Sequence, residues 1–208
     1  MMADHLPTAV LDLRRSPAHD LRDEFEAGSS EKVGLREVPF LTQIALRAAP
    51  GGPASGALEG SLGCTLPQQV GEVTSTGTAH VLWLAPDEFL LVAPDEAQAG
   101  ESTTAYAQRL VDALGAHRGQ VVDVSANRTT FKLSGPMAQV VLDKSVRIDL
   151  DPVAAPIGTA LVTELGATPA ILWRTDEQEW QVLVRASFAV HVGTWLLDGM
   201  REFSGASG

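Results

Sequence analysis

A strand phrase that occurs twice constrains this chain more than any other feature. Val81-Leu82-Trp83, followed by Asp87-Glu88, returns as Ile171-Leu172-Trp173 followed by Asp176-Glu177. Each copy leads into a second β-rich run, Phe89 to Ala93 and Trp180 to Val184, and then to a serine placed to cap a helix, Ser102 and Ser187. Strand, reversal, strand and capped helix, met twice, indicate an internal duplication. Two such copies with helices on one face of antiparallel sheets predict an α+β fold of two pseudo-repeated split β-α-β (ferredoxin-like) units. The 208 residues are enough for two small halves and a substantial core.

The stretch Gln120 to Pro152 joins the copies. Val121 to Val124 and Thr129 to Leu133 are predicted strands around a Ser125-Ala126-Asn127-Arg128 turn. Ser134-Gly135-Pro136 predicts a helix start, with Met137, Val140 and Val141 as its apolar stripe. Upstream, Thr42 to Arg47 predicts a strand and Pro53 opens a helix to about Leu62. Ala79 to Leu84 and Phe89 to Ala93 form a hairpin, and the helix after Ser102 carries Tyr106, Leu110, Val111 and Leu114 before Gly115. Downstream, Thr159 to Leu165 pairs with Thr168 to Arg174, and a closing helix carries Phe188, Val192, Trp195, Leu196, Gly199 and Phe203.

Residues 1–38 are charged and broken by Gly28-Ser29-Ser30, which predicts an extended N-terminal arm, with ordered structure beginning at Pro39. The arm is either a solvated terminus or a docking segment in which Leu6, Val10, Leu11, Leu13 and Phe25 meet a partner. The first α+β half is then 39–119 and the second 120–208, packed as one globular unit.

Composition excludes several functions. With 26 acidic against 15 basic residues the net charge is −11, which repels phosphate backbones and anionic membrane. One cysteine, Cys64, permits no intrachain disulfide and no cysteine zinc set, and fits a reducing cytoplasm. The sequence shows no secretion signal and no apolar run long enough to cross a membrane.

His5, His19, His80, His117 and His191 are scattered singly, so no metal site is expected, and His191 is assigned to an edge-of-core hydrogen bond. Gly51-Gly52 lacks the lysine of a phosphate loop, and there is no G-x-G-x-x-G for a dinucleotide. Asp123, Ser125 and Arg128 form the tightest polar group, but no histidine completes a triad, and such turns more often satisfy backbone N–H groups. Asp149 and Asp151 are assigned to a turn before Pro152. No catalytic, cofactor-binding or metal-binding residue is therefore assigned. Trp83, Trp173, Trp180 and Trp195 fall in predicted elements; Trp83 and Trp173, with Arg128, are the candidates for a partner interface.

Asp123-Val124-Ser125 with Arg128, Ser134-Gly135-Pro136, Ile148-Asp149-Leu150 before Pro152, Val184 to Ala189 (VRASFA) and Trp195 to Asp198 (WLLD) together resemble the gamma subunit of heterotetrameric bacterial sarcosine oxidase. The likeness runs from Val38 onward, and the helix start also resembles folate-dependent aminomethyltransferases. It implies a structural subunit packed beside alpha and beta subunits, with delta in the same complex. That complex demethylates sarcosine to glycine with oxygen, giving hydrogen peroxide and formaldehyde or methylenetetrahydrofolate. The likeness also implies that FAD, FMN, NAD, tetrahydrofolate and zinc belong to the other subunits. A free-standing folate-binding one-carbon protein is the alternative, although Leu165 to Ala170 lacks the acidic residue that folate-using relatives place there.

Overall fold

The computed structural model describes residues 13–204. In chain order the elements are α1 (Arg22–Gly28), β1 (Gly34–Val38), β2 (Thr42–Ala48), α2 (Pro53–Leu62), β3 (Val73–Thr76), β4 (Ala79–Ala85), β5 (Glu88–Ala93) and α3 (Glu96–Ala99). Then come α4 (Thr103–Leu114), β6 (Gly119–Asp123), β7 (Arg128–Ser134), α5 (Ala138–Asp143), β8 (Ala160–Leu165), β9 (Thr168–Asp176), β10 (Glu179–Arg185) and α6 (Ala189–Met200). They divide into two compact units, Phe40–Ser125 with Arg14, and Arg15–Pro39 with the chain from Ala126 onward.

The first unit is an antiparallel sheet in the order β3-β4-β5-β2-β6. Alternate residues of its central strands, Ile44, Leu46, Val81, Phe89 and Leu91, meet Leu58 and Leu62 of α2 and Leu110 and Leu114 of α4. Each such side chain removed from water contributes about 1.5–3 kcal/mol. Local chemistry fixes the helix ends. Pro53 opens α2, and Gly63, at φ 78°, closes it by donating its N–H to Glu59 O at 2.8 Å. Ser102 Oγ accepts from Ala105 N at 3.2 Å at the start of α4.

The second unit has the order β1-β7-β10-β9-β8, again antiparallel. Its core combines Phe131, Leu133, Leu172, Trp180, Val182 and Val184 of the sheet with Val141, Leu142, Val192, Leu196 and Met200 of α5 and α6. Place for place, β8-β9-β10-β7-β1 matches β3-β4-β5-β2-β6, so the repeated Trp83 and Trp173 phrases occupy equivalent strands, β4 and β9. One place differs in chain order. In the first unit the strand beside β2 follows α4, whereas in the second the strand beside β7 is β1, which precedes both copies.

That exchange corrects the expected arm. Residues within 1–38 form a 3₁₀ turn at His19–Leu21, α1 and β1, and β1 pairs with β7 from Gly34↔Ser134 to Val38↔Thr130. Phe25 is 3% exposed within this unit, so it is core and unavailable for docking, while Leu13 is exposed; Leu6, Val10 and Leu11 lie outside the described residues. The boundary between the units also falls after Ser125 rather than after 119.

Two predicted helix starts also move. Ser134-Gly135-Pro136 is held by tertiary hydrogen bonds, Gly135 N to Gln178 O at 2.9 Å and Met137 N to Lys32 O at 3.0 Å, so α5 begins at Ala138. Gly135 is required there, because φ is 110° and a Cβ would lie 2.6 Å from Lys32 O. Ser187 makes no cap, since it sits in a 3₁₀ turn (Ala186–Phe188) that Ala186 N anchors to Asn127 O. Val140 and Val111 face solvent, while Met137, Val141 and Leu142 at α5 and Tyr106, Leu110 and Leu114 of α4 meet the cores. Among the described residues, no helix is long and apolar enough to cross a membrane.

Candidate functional site

The polar group singled out at 123–128 ends a strand. Ser125 Oγ donates to Asp123 Oδ1 at 2.7 Å and accepts from Gln43 N at 2.9 Å, and Ser125 N also donates to Asp123 Oδ1. The hydroxyl thus continues the β2–β6 ladder past Asp123, with Val124 N on Gln43 O beside it. The hydroxyl oxygen is taken up by Gln43 N and the carboxylate also by Ser125 N, so both side chains serve main-chain groups of the turn. Arg128 opens β7 of the second unit, in register with Arg185.

The other polar candidates hold the backbone similarly. Asp149 Oδ1 accepts from Asp151 N and Asp151 Oδ1 from Val153 N, both at 2.9 Å. His80 Nδ1 shares a hydrogen bond with Ser75 Oγ at 2.8 Å, and burial lowers its pKa. His191 is exposed on α6, its ring 6.1 Å from that of Trp195, so it belongs to the outer face and not to the core edge. No group of three potential metal-ligating residues occurs among the described residues.

The tryptophans separate by exposure. Trp180 is fully buried, with the Arg174 guanidinium 5.4 Å from its ring centre. That guanidinium is buried too, and it donates to Ala155 O at 3.0 Å and Glu177 O at 2.9 Å, which compensates its loss of water. Trp173 is 5% exposed and Trp83 half-buried, so Trp173 leaves little ring for a partner in the isolated chain. Trp195 is 45% exposed, and its Nε1 donates to Ser145 Oγ at 2.8 Å. Phe188, seven residues before Trp195 and just ahead of α6, is also exposed. Sequence periodicity placed Phe188 and Trp195 with Val192 and Leu196; only the packing of α6 separates the outward pair from the inward one.

One group had no sequence signal. Glu37 on β1 accepts from Ala18 N at 3.2 Å, Thr129 Oγ1 at 2.6 Å and Ser16 Oγ, clasping the segment before α1 to β1 and β7. A cavity of about 470 Å³ opens beside it between α1 and β1, lined by Arg22, Phe25, Glu26, Leu35 and Arg36 among others. The cavity lining all comes from the α1–β1 segment, whereas the bond from Thr129 to Glu37 joins positions 92 residues apart and exists because β1 pairs with β7.

The class is therefore an α+β protein of two ferredoxin-like units, of the fold type seen in the glycine cleavage system aminomethyltransferase T from Bartonella henselae. That structure superposes with a TM-score of 0.67 at 17% identity, over 91% of this chain and 58% of that one. Sequence comparison narrows the class: the chain belongs to the sarcosine oxidase, gamma subunit family, whose model matches residues 47–202. The sarcosine oxidase subunit gamma of Arthrobacter sp is 48% identical, and that of Corynebacterium sp. (strain P-1) 47%, each over 98% of both chains. A chain in the heterotetrameric sarcosine oxidase from Corynebacterium sp. U-96, in complex with pyrrole 2-carboxylate, superposes with a TM-score of 0.85 at 46% identity, covering 94% of this chain and 99% of that one.

Proposed function

We propose that this chain is the non-catalytic gamma subunit of a heterotetrameric sarcosine oxidase, packing with alpha, beta and delta subunits in the cytoplasm. The observation that carries the reading is the near full-length match to a chain of such a heterotetramer. The engagement of Ser125, Asp123, Asp149 and Asp151 in backbone capping supports a structural role. The complex oxidises sarcosine to glycine, reducing oxygen to hydrogen peroxide and releasing the methyl carbon as formaldehyde or to tetrahydrofolate. FAD, FMN, NAD, tetrahydrofolate and zinc are held by the other subunits. Trp83 and Arg128 remain interface candidates, Trp173 being too buried to offer its ring, and the exposed Trp195 and Phe188 offer more apolar surface to a partner.

Tagged chain, recovered gently from its native cells, tests this. The expected result is a yellow complex of four polypeptides that consumes oxygen when given sarcosine. A colourless single chain, combined with calorimetric binding of tetrahydrofolate by that chain, would overturn the assignment in favour of a folate-binding protein.

A further inference from the structure

The order in which the strands enter the two sheets points to an exchange between the repeats. β1 runs into β2 through Pro39-Phe40-Leu41, and β6 runs into β7 through Val124-Ser125-Ala126-Asn127. Counted with these leading strands, the copies share one order, β1-β2-α2-β3-β4-β5-α4 and β6-β7-α5-β8-β9-β10-α6, with α3 an insertion in the first. Each leading strand pairs with the other copy: β1 with β7, and β6 with β2. The registers agree as well. Val38 and Asp123, the last residues of β1 and β6, face Thr130 and Ile44, each the third residue of its strand. Gly34 and Gly119, the first residues of β1 and β6, face Ser134 and Ala48, the last of theirs. This is the topology of a strand-exchanged dimer whose two subunits are joined in one polypeptide, the joint lying between α4 and β6.

We propose that the same exchange closes between two copies of this chain, giving a dimer in which residues 15–39 of each complete the second unit of the other. The chain up to Asp123 is joined to the chain from Arg128 onward by Val124–Asn127 alone, since a single cysteine leaves no disulfide to cross-link them. What seats the early segment on the second unit is non-covalent: the β1–β7 ladder, the Phe25 ring edge-on to Phe131, and Thr129 Oγ1 donating to Glu37 at 2.6 Å. None of these contacts involves the link, so they form equally when the two parts belong to different molecules. The buried Leu21, Phe25, Val33 and Leu35 are covered in both forms. The link itself is short and fixed at both ends. Val124 N and Ser125 Oγ are bonded to Gln43, and Asn127 O accepts from Ala186 N at 3.0 Å, which leaves Ala126 between them as the point of opening. Short links of this kind favour exchange, because they reach a second copy once extended. A second copy is the matching occupant, since it carries the segment that fits β7 and α6 residue for residue. The exchange does not depend on the oxidase assignment.

The full chain carrying Cys64→Ser, Arg36→Cys and Lys132→Cys traps the pairing, because Arg36 faces Lys132 across β1 and β7 and no other thiol remains. It is unfolded in urea, refolded at a series of concentrations and oxidised, and the products are separated under denaturing conditions without reductant. Dilute refolding gives the intrachain bond in a monomer. With rising concentration the ratio of interchain-linked dimer to monomer grows, about tenfold per tenfold increase while the dimer is the minor form. A flexible Gly-Ser insert after Ser125 lowers that ratio, and deletion of Ala126 raises it. Phe25→Ala and Leu172→Ala chains refolded together give an independent measure without cysteines. One composite unit of their mixed dimer carries neither substitution, so a urea transition appears at higher denaturant than either variant shows alone. Intrachain bonds only at every concentration, dimers not linked through positions 36 and 132, a ratio indifferent to the insert, or no added transition in the mixture overturns the proposal.

Discussion

Replacing Phe25 with alanine tests whether the segment before Pro39 is part of the core or an appendage. The ring is nearly fully buried and meets Phe131 edge-on, with centroids 5.7 Å apart and planes at 78°. It also packs against Gly193 of α6, where a Cβ would lie 3.0 Å from Phe25 Cζ. Truncating a buried phenylalanine costs about 3–5 kcal/mol, and loss of an edge-to-face partner worth about 0.5–1.5 kcal/mol places this site in the upper part of that range. Against a total stability of about 5–15 kcal/mol, this removes about a quarter or more. Urea unfolding followed by tryptophan fluorescence reports on the right region, because three of the four tryptophans, Trp173, Trp180 and Trp195, belong to the second unit. Leu13→Ala, at an 82% exposed position, is the control and should change stability by less than about 0.5 kcal/mol. A Phe25→Ala loss below about 1 kcal/mol would show that α1 does not complete the core, and the argument from its packing would fail.

Further outcomes follow from other contacts. Gly193→Ala should cost about 1 kcal/mol alone, because the methyl crowds Leu21 Cδ1 at 2.8 Å and Phe25 Cζ at 3.0 Å, and should cost less in the Phe25→Ala protein, where only the Leu21 contact remains; a double-mutant cycle measures the difference. Ala167 adopts φ 63° beside Gly166 in the two-residue β8–β9 turn, so Ala167→Gly should raise stability by about 1 kcal/mol in the same unfolding assay. Ser125→Ala should cost about 1–2 kcal/mol while leaving oxygen consumption by the assembled oxidase unchanged; loss of turnover without loss of stability would contradict its capping role. Burial raises the pKa of the Cys64 thiol, so less thiolate is present at a given pH. Its alkylation by iodoacetamide should accordingly be slower than that of a free cysteine at pH 8, with the pH–rate curve displaced upward.

The sequence determined the elements whose signals are local. Both hairpins, α2 with Pro53 and Gly63, α4 behind Ser102, and the equivalence of the Trp83 and Trp173 strands follow from alternation, caps and turns within about thirty residues. The structural reading of Asp123 with Ser125, and of Asp149 with Asp151, was also legible, because short polar side chains capture neighbouring N–H groups wherever they fall in a turn.

Tertiary structure decided what depends on distant partners. β1 reads Gly-Leu-Arg-Glu-Val and β3 Val-Thr-Ser-Thr, short and polar edge strands whose stability lies in their neighbours, β7 and β4, rather than in their own composition. Ser134-Gly135-Pro136 carries a helix-start pattern, but hydrogen bonds to Lys32 and Gln178 claim its main chain first. The Glu37 clasp to Thr129 and the split of α6 into a buried Val192–Leu196 face and an exposed Phe188–Trp195 face arise the same way. A backbone group or side chain takes the partner that the assembled sheet brings to it, and sequence spacing alone does not encode a neighbour ninety residues away.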